Sequence, residues 1–431
     1  MSLSLSLPSL AKCRAFCQRL GEISLIATCF FLSWSVALMN VTALLMALCW
    51  FFSGKFLELP KILRQSPSAA LAVVLFLLLA ASLAYTSAPL AYGLDITSKY
   101  RKLLYLPVVL SMVAGAPVLR RRAIDAFLWG CGLLMVVSYF KWISLLWFDS
   151  TMFIDRHLFS LVYHITHSFF MALFIFFLLE RTITEKDLSG QWRWPLLIIA
   201  ALAGINLFFI TPGRTGWGLC LALIAFIFIR RYSWRWLLSG LVILTILVAL
   251  ISQSSIVSKR FHDIIRETER YRPGASRTSM GMRYDWWHNA YTLFRESPWL
   301  GKGIGSFPGE QRELVKTLNQ RTKHSDNPHN EYLFLAEQTG LCGLLVFAAL
   351  LAVPVIEAQR RSLPADDRRL IEGVALAMTL GCLVNSLLFD SQQGHFFILM
   401  TALLLAGDGM IASGMAVNDR VNAANSSEVL T

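Results

Sequence analysis

The feature that most constrains the fold is the alternation of long apolar runs with short basic loops. A helix of about 20 apolar residues is long enough to cross the hydrocarbon core of a bilayer. The chain is 56% hydrophobic and only 15% charged, and its mean hydropathy is positive. This composition excludes an ordinary soluble globule and predicts an all-α polytopic membrane protein in contact with lipid.

Apolar runs of suitable length predict about twelve transmembrane helices. They cover residues 23–39, 41–52, 69–87, 103–118, 123–147, 158–179, 195–210, 216–229, 236–251, 332–353, 370–389 and 396–412. Basic residues before the first run resemble a signal peptide, but the apolar stretch is too long for one and predicts two retained spans. The expected organisation is helices 1–9 in residues 1–252, a polar loop domain in residues 253–331, and helices 10–12 with a cytoplasmic tail in residues 332–431.

The distribution of Lys and Arg predicts the orientation of these spans. The formal net charge of +12 could indicate nucleic-acid binding in a soluble protein, but here the basic residues cluster in short loops. With a cytoplasmic amino terminus, every cytoplasmic loop carries at least three Lys or Arg, whereas the short outer loops carry fewer. Cytoplasmic loops of membrane proteins are enriched in this way. Both termini are therefore expected in the cytoplasm, and the polar segment outside.

The polar segment is longer than a linker requires. Residues 257–271 and 282–295 predict two helices separated by Arg272-Pro273-Gly274. Trp286 and neighbouring aromatic residues give the second helix an amphipathic surface, which suits the membrane interface. Residues 301–305 are rich in glycine and predict a flexible turn. Since no strand precedes them, they do not fit a nucleotide-binding loop.

A histidine ends this polar segment. Asp326-Asn327-Pro328 is a turn and capping signal, and it predicts that His329 lies in the first turn of a helix over residues 332–353. The near-neutral pKa of histidine suits proton transfer at the water-lipid boundary. The alternative is a histidine that only helps to cap the helix.

Two arginines lie where an anion would stabilise them. Arg214 is flanked by proline and glycines between two apolar runs, and a guanidinium at that depth is costly unless it meets an anion. Arg283 begins the aromatic helix, and both an Arg side chain and a helix amino terminus favour phosphate. The alternatives are an interfacial anchor for Arg214 and a local ion pair with Asp285 or Asp326 for Arg283.

A basic patch, Lys99, Arg101 and Lys102, precedes the fourth apolar run. It could attract an acidic substrate headgroup or anchor the protein to lipid. Asp390 follows the eleventh run, where a carboxylate could orient a histidine or arginine, act as a base, or face water at a helix end.

Three histidines, His157, His164 and His167, raise the question of a metal site. The last two are three residues apart and share a helix face, but no carboxylate occurs at matching spacing. Metal ligation normally needs such a set of donors. Packing or substrate lining is therefore expected, and no metal site is predicted. Together the outer groups indicate a site for an anionic, lipid-borne donor with a histidine that takes a proton.

Three short motifs resemble those of the O-antigen ligase and polymerase superfamily. They are Arg283 and Trp286 in the pattern RxxW followed by PWLGKGIGSF at 298–307, then PHNEYL at 328–333, then EQTGLCG at 337–343. Members of this superfamily transfer a glycan from undecaprenyl diphosphate to a hydroxyl acceptor at the periplasmic face of the Gram-negative inner membrane. The resemblance implies a GT-C type fold and an inverting glycosyltransferase that needs no metal or cofactor.

The resemblance also implies residue roles. Arg214 and Arg283 match the arginines that hold the diphosphate, and His329 matches the essential histidine, which would take the proton of the acceptor hydroxyl. The expected substrate-binding residues are Lys99, Arg101, Lys102, Asp326, Asn330, Asp390 and His167.

The acceptor is the least constrained part of this interpretation. A ligase uses lipid A-core, a polymerase uses a second lipid-linked repeat, and a related enzyme uses a protein serine or threonine. The basic patch and the position of the large loop favour the ligase. A lipid-linked oligosaccharide flippase would also have many spans, but transporters place polar groups near the midplane, whereas here they gather at one face.

Overall fold

The computed structural model describes residues 7–148, 161–184, 190–211, 213–231, 233–253, 255–275 and 277–407. Within these ranges the chain is helical and contains no β-strand. Long apolar helices dominate, as a polytopic membrane protein requires. The expected all-α membrane class is therefore confirmed.

Seventeen α-helices make up the described part of the chain. Before the polar segment lie α1 Leu7–Phe31, α2 Val36–Phe52, α3 Leu59–Gln65, α4 Pro67–Ala81, α5 Leu90–Lys99, α6 Tyr105–Val113, α7 Pro117–Phe148, α8 His164–Thr184, α9 Gly190–Ile205, α10 Arg214–Ile229 and α11 Trp234–Ser252. The remaining helices are α12 Ser255–Glu269, α13 Ser279–Glu296, α14 Phe307–Thr317, α15 Glu331–Arg360, α16 Ala365–Gly381 and α17 Ser391–Leu405.

The number of membrane spans differs from the expectation. Among the described residues, five helices are long and apolar enough to cross a membrane: Pro67–Ala84, Pro117–Ser144, His164–Thr184, Gly190–Ile210 and Glu331–Arg360. A sixth is added if α2 and residues 55–65, which meet at a bend of 82°, count as one span. The count of twelve is thus not confirmed, because several apolar runs fold into shorter helices.

One of these short helices, α17, lies in the centre of the protein. Its 15 residues are almost all buried, and it packs against α6, α7, α15 and α16. The Phe396 ring contacts the rings of Phe127, Phe169 and Phe170. Since protein surrounds it, α17 does not have to match the thickness of a bilayer to be stable.

The chain between α9 and α10 breaks inside the protein. A π-helical turn, Asn206–Ile210, continues α9, and the Asn206 carbonyl accepts a hydrogen bond from the Thr211 amide at 2.9 Å. A Cβ on Gly213 or Gly216 would overlap Ser168, so only glycine lets α10 approach α8 this closely. The break places Arg214 at the first position of α10. Pro212 lies outside the described residues.

The polar segment contains the two expected helices, with shifted ends, and an additional helix, α14. Gly274, at φ 70°, lies in the break between α12 and α13. The expectation of an interfacial surface on the second helix is wrong for Trp286, which is only 8% exposed. Ala290 and Leu293 of α13 instead form a small core with Phe307 and Phe334.

The glycine-rich run 301–305 packs against a kink in α15 and is not the flexible turn expected. Gly340, at φ 63° and ψ −159°, interrupts the helix. There, the Lys302 amide donates to the Glu337 carbonyl at 2.7 Å, and the Leu341 amide donates to the Pro298 carbonyl at 2.8 Å. A Cβ on Gly301 or Gly340 would overlap the opposite backbone. Two of the three sequence motifs therefore form one packed unit.

Candidate active site

His329 lies before α15 and not in its first turn, which corrects the expectation from sequence. Asn330 is the N-cap: its side-chain oxygen accepts a hydrogen bond from the Leu333 amide at 3.0 Å. The Asn327 side chain accepts a bond from the His329 amide at 2.8 Å. Together they hold His329 at φ 52°, a left-handed conformation that is uncommon for a residue with a Cβ. The helix thus begins at Glu331, after the turn and not within it.

The His329 ring packs beside Trp286. The ring centroids are 5.3 Å apart with 37° between the planes, and the indole N–H of Trp286 donates to the Lys323 carbonyl at 2.8 Å. Burial lowers the pKa of His329 to about 4, and the nearby charge of Arg283 contributes. The imidazole is therefore neutral at neutral pH, which is the form that can accept a proton.

Arg283 interacts electrostatically with this histidine and with Arg214. Burial lowers the pKa of Arg283, and the positive charge of Arg214 lowers it further. Arg283 lies just beyond the first turn of α13, whose N-cap is Thr278, so it does not occupy the helix terminus itself. Two neighbouring guanidinium groups make a site that an anion with several oxygens would stabilise.

The alternative ion pairs for Arg283 are absent in the described part of the chain. Asp285 is buried and accepts hydrogen bonds from the Tyr271 hydroxyl and the Gly274 amide, each at 2.8 Å. Asp326 is exposed and lies 3.6 Å from His324. Neither carboxylate pairs with Arg283, and Asp326 does not approach the histidine site through any contact of its own.

A cavity of about 630 Å³ contains His329 in its wall. Its polar side includes Tyr163, Asn385, Asp390 and Gln393, and its apolar side includes Trp34, Val36, Leu161 and Ile165. We call it the reaction cavity. Neither Arg214 nor Arg283 is among the lining residues, but Tyr163, which lines the cavity, interacts electrostatically with Arg283. The helix start at Arg214 reaches it through Thr215, whose hydroxyl accepts from Asn385 at 2.8 Å.

A second cavity of about 420 Å³ adjoins the first, and we call it the basic cavity. It is lined by all three residues of the basic patch, Lys99, Arg101 and Lys102. Two further residues, Asp390 and Ser391, line both cavities. Asp390 precedes the first residue of α17 and so lies at the boundary between them. The structure thus brings the basic patch and Asp390 next to His329.

The three cations of the patch differ in their surroundings. Lys102 is fully buried, and its ammonium donates to the carbonyls of Phe389 at 2.9 Å and Asp390 at 2.7 Å. It holds the chain ahead of α17. Lys99 is 43% exposed and lies 3.6 Å from Asp95, while Arg101 is exposed. Of the three, Lys99 and Arg101 are the better placed to meet a substrate.

Glu331 is a structural residue of the site that sequence reasoning missed. It is fully buried and accepts bonds from the amides of Leu388 at 2.9 Å and Phe389 at 3.0 Å, and from the Tyr100 hydroxyl at 3.1 Å. The only signal for it was its place in the same motif as His329. It fixes the loop that carries Asn385 and Asp390.

Asn330 assists Glu331 and does not line either cavity. Its amide group donates to the Leu383 carbonyl at 2.9 Å, and the side chain is almost buried. Sequence reasoning assigned Asn330 to substrate; the structure gives it contacts with backbone only. The adjacent residues Asn330 and Glu331 therefore hold the loop 382–390 beside His329.

His167 also lies away from the cavities. It is fully buried in α8, and its Nε2 forms a 2.7 Å hydrogen bond with the Asn206 side chain. Its neighbours Ile165 and Thr166 line the reaction cavity, but His167 does not. His157 lies outside the described residues, and among those described no group of three His, Cys, Asp or Glu side chains is arranged around one point. The structure gives His167 a packing role.

Comparison with known proteins finds a family match over part of the chain. Residues 198–348 match the family model described as O-Antigen ligase. This segment is similar to the O-antigen ligase family. The matched segment is about a third of the chain, and it includes Arg214, Arg283 and His329.

A relative with a curated record matches over a similar length. A protein of Haemophilus influenzae described as uncharacterized is 26% identical over 165 residues, which is 36% of this chain and 41% of that protein. The alignment therefore spans about two fifths of the relative's length, and its description names no activity.

The matched segment supplies only part of the site. It carries α10 and α13, which provide the two arginines, and His329, which precedes α15. The opposite walls come from outside it, namely from α2, from the residues before α8, and from the loop before α17. The reaction cavity is thus assembled from parts of the chain more than 300 residues apart in sequence, such as Val36 and Asp390.

Proposed function

We propose that the protein is an O-antigen ligase. It transfers O-antigen glycan from undecaprenyl diphosphate to a sugar hydroxyl of lipid A-core at the periplasmic face of the Gram-negative inner membrane. This reaction completes lipopolysaccharide. The match of residues 198–348 to the O-antigen ligase family model supports the general class of reaction. One observation carries the chemistry: a neutral, partly buried His329 lines the reaction cavity, and the positive charge of Arg283, which also interacts with Arg214, acts on it.

The donor is held through its diphosphate. Arg214 and Arg283 bind the phosphate oxygens, and the apolar wall of the reaction cavity takes the adjacent part of the lipid. As the bond between the anomeric carbon and the diphosphate oxygen breaks, the electron pair moves to the diphosphate. Fixed positive charge near the leaving group stabilises this transition state, so the proposed reaction needs no metal ion and no cofactor.

The acceptor hydroxyl attacks the anomeric carbon from the opposite face and inverts its configuration. The new C–O bond forms as His329 accepts the hydroxyl proton, which general-base catalysis by a neutral imidazole allows. Lys99 and Arg101 in the basic cavity attract the phosphates of the lipid A-core, and Asp390 lies where acceptor and donor meet. The site opens to the periplasm, and both termini lie in the cytoplasm.

The test uses the purified full-length protein in detergent with a chelator present. One reaction contains lipid-linked O-antigen alone, and the other also contains lipid A-core. Glycan on lipid A-core in the second reaction supports the ligase. Longer lipid-linked chains in the first indicate a polymerase. No product in either reaction overturns the proposal and favours a protein acceptor or transport of the lipid-linked glycan.

A further inference from the structure

His395 in the basic cavity has a fixed tautomer. It lies one turn into α17, and its Nδ1 is 2.7 Å from the Ser391 carbonyl oxygen. A carbonyl oxygen can only accept a hydrogen bond, so Nδ1 carries the proton. In the neutral ring Nε2 is then an acceptor. The ring also packs beside Tyr105, with centroids 5.7 Å apart, which limits its rotation.

This Nε2 atom lacks a hydrogen-bond partner among the residues that the structure describes. His395 is only 3% exposed, yet it lines the basic cavity. A buried acceptor without a partner costs free energy, because it has lost its bonds to water. A hydroxyl or N–H group of a ligand in the cavity would satisfy it.

The other lining groups define the chemistry of that ligand. Arg101 donates to the Ser98 carbonyl and to the Asn40 side chain, each at 3.0 Å, so within the described ranges no carboxylate neutralises it. The carboxylate contact of Lys99 is an exposed, long one with Asp95. These two cations would attract an acidic group.

Most of the residues that line the basic cavity are polar or charged. Phe389 is the one apolar side chain among its ten lining residues, and Lys99 lies over its ring at 4.9 Å from the centroid. A phospholipid needs an apolar groove for its acyl chains, whereas the hydroxyl groups of a saccharide need hydrogen-bond donors and acceptors. The lining therefore favours a saccharide that carries anionic substituents.

We propose that the basic cavity binds the phosphorylated core saccharide of the acceptor and that His395 Nε2 accepts a hydrogen bond from one of its hydroxyl groups. The inference rests on the proposed function, since it names the site of that reaction's acceptor. Asp390 and Ser391 line both cavities, so a saccharide that extends past them brings its next hydroxyl toward His329. His395 is a binding residue that selects the acceptor and takes no part in proton transfer.

Two substitutions of His395 separate its acceptor from its structural contacts. His395→Asn keeps a donor near the position of Nδ1 and removes the Nε2 acceptor, while His395→Gln places an amide oxygen near the position of Nε2. The exposed His288 on α13 gives the control, His288→Asn. Binding of purified lipid A-core to each full-length protein in detergent is measured without donor, and transfer is then measured with donor present.

We expect His395→Asn to raise both the Kd and the KM for lipid A-core by about tenfold, as the loss of one hydrogen bond in a buried site predicts. The kcat and the KM for the donor stay within about twofold, and His395→Gln and His288→Asn behave as the wild type. Lipid A-core without its core phosphates should bind the wild type more weakly than intact lipid A-core does. Lys99→Gln should bind this dephosphorylated probe as well as the wild type does.

Several outcomes would overturn the inference. If His395→Asn transfers glycan with an unchanged KM for lipid A-core, His395 does not bind the acceptor, while the ligase function stands. If His395→Asn and His395→Gln lose lipid A-core binding equally, the His395 ring contributes packing alone. If phosphatidylglycerol competes for the basic cavity as well as lipid A-core does, the cavity is a lipid headgroup site. Binding of lipid A-core that depends on His395 without any transfer supports the inference and overturns the proposed function. Neither binding nor transfer by the wild type overturns both.

Discussion

The backbone of His329 is held in a left-handed conformation by its neighbours. The Asn327 side chain accepts a hydrogen bond from the His329 amide, and Asn330 caps the helix that follows. A non-glycine residue in this region costs about 1–3 kcal/mol, and such strain persists where the surroundings enforce it. Here the imidazole packs beside Trp286 and lines the reaction cavity.

Removing the imidazole should abolish transfer and leave the fold intact. For His329→Ala we expect transfer to fall by about 10²–10⁴-fold, the range for loss of a general base. The thermal midpoint and the elution volume in detergent should stay near the wild-type values, because the ring is only partly buried. His288→Ala serves as the matched control. Full activity in His329→Ala would remove the histidine mechanism.

The pH dependence follows from the lowered pKa of His329. Transfer requires the neutral ring, and a pKa of about 4 keeps the ring neutral well below pH 6.5. We therefore expect kcat/KM to stay level from pH 7 to about pH 5 and to fall below that, as the free enzyme titrates. The bound diphosphate should raise the pKa, so kcat should begin to fall at a higher pH. A kcat/KM profile that falls near pH 6.5 would contradict a buried base.

The arginines should not tolerate lysine. Arg214→Lys and Arg283→Lys each keep the charge but lose the planar, bidentate guanidinium. We expect each to lower kcat by about 10²-fold, as for other groups that stabilise charge in a transition state. Arg266→Lys is the control, since Arg266 is exposed and pairs only with Asp263. Wild-type rates in Arg214→Lys would identify that arginine as a headgroup anchor.

At the scale of elements, the kink in α15 joins the polar segment to the bundle. The run 297–306 contacts the kink on one side and the chain after α4 on the other, where the Ile304 amide donates to Ser82 at 3.0 Å and the Ser87 amide donates to the Lys302 carbonyl at 3.3 Å. The Ser306 hydroxyl donates to Glu337 at 2.7 Å. These bonds fix α13 and His329 relative to each other and to the membrane helices.

The kink should therefore be sensitive to a single methyl group. A Cβ at Gly340 would overlap the Trp299 backbone, and the φ of 63° with ψ of −159° suits only glycine. We expect Gly340→Ala to destabilise the protein by more than about 1–3 kcal/mol, the cost of the backbone strain alone, and to lower the thermal midpoint in detergent. In α14, Gly309→Ala meets no atom and should leave the midpoint unchanged or raise it.

At the scale of the whole molecule, the ends of α10 and α15 that lie away from the site form ion pairs. The start of α15 holds Glu331 beside His329, and its last turn carries Glu357, which pairs with Arg361 at 2.5 Å. The start of α10 carries Arg214, and Arg230 at its end pairs with Glu372 at 2.5 Å. The loop arginines interpreted as cytoplasmic thus form ion pairs at the end away from the site.

The expected topology can be tested by labelling single cysteines. In a variant without the eight native cysteines, a cysteine at the exposed Lys316 should react with a membrane-impermeant maleimide in cells whose inner membrane is intact. A cysteine at the exposed Arg121 should react only after that membrane is permeabilised. The reverse pattern would place the reaction cavity in the cytoplasm and contradict the proposed localisation.

The sequence by itself determined the class of the protein and the residues to examine. Apolar runs too long for a globule require a membrane, and local periodicity located α12 and α13 to within a few residues. The motifs contain Arg283 and His329, and the resemblance they carry adds Arg214 to that group. These features are local, so neighbouring residues are enough to predict them.

Only the tertiary structure decided what surrounds those residues. It showed that α17 is enclosed by protein, so its apolar run is short, and that Glu331 holds a backbone loop more than 50 residues further on. It also separated the buried Lys102 from its neighbours Lys99 and Arg101 and showed His395 beside them. Such assignments depend on contacts between distant parts of the chain, and a pattern of adjacent residues does not contain them.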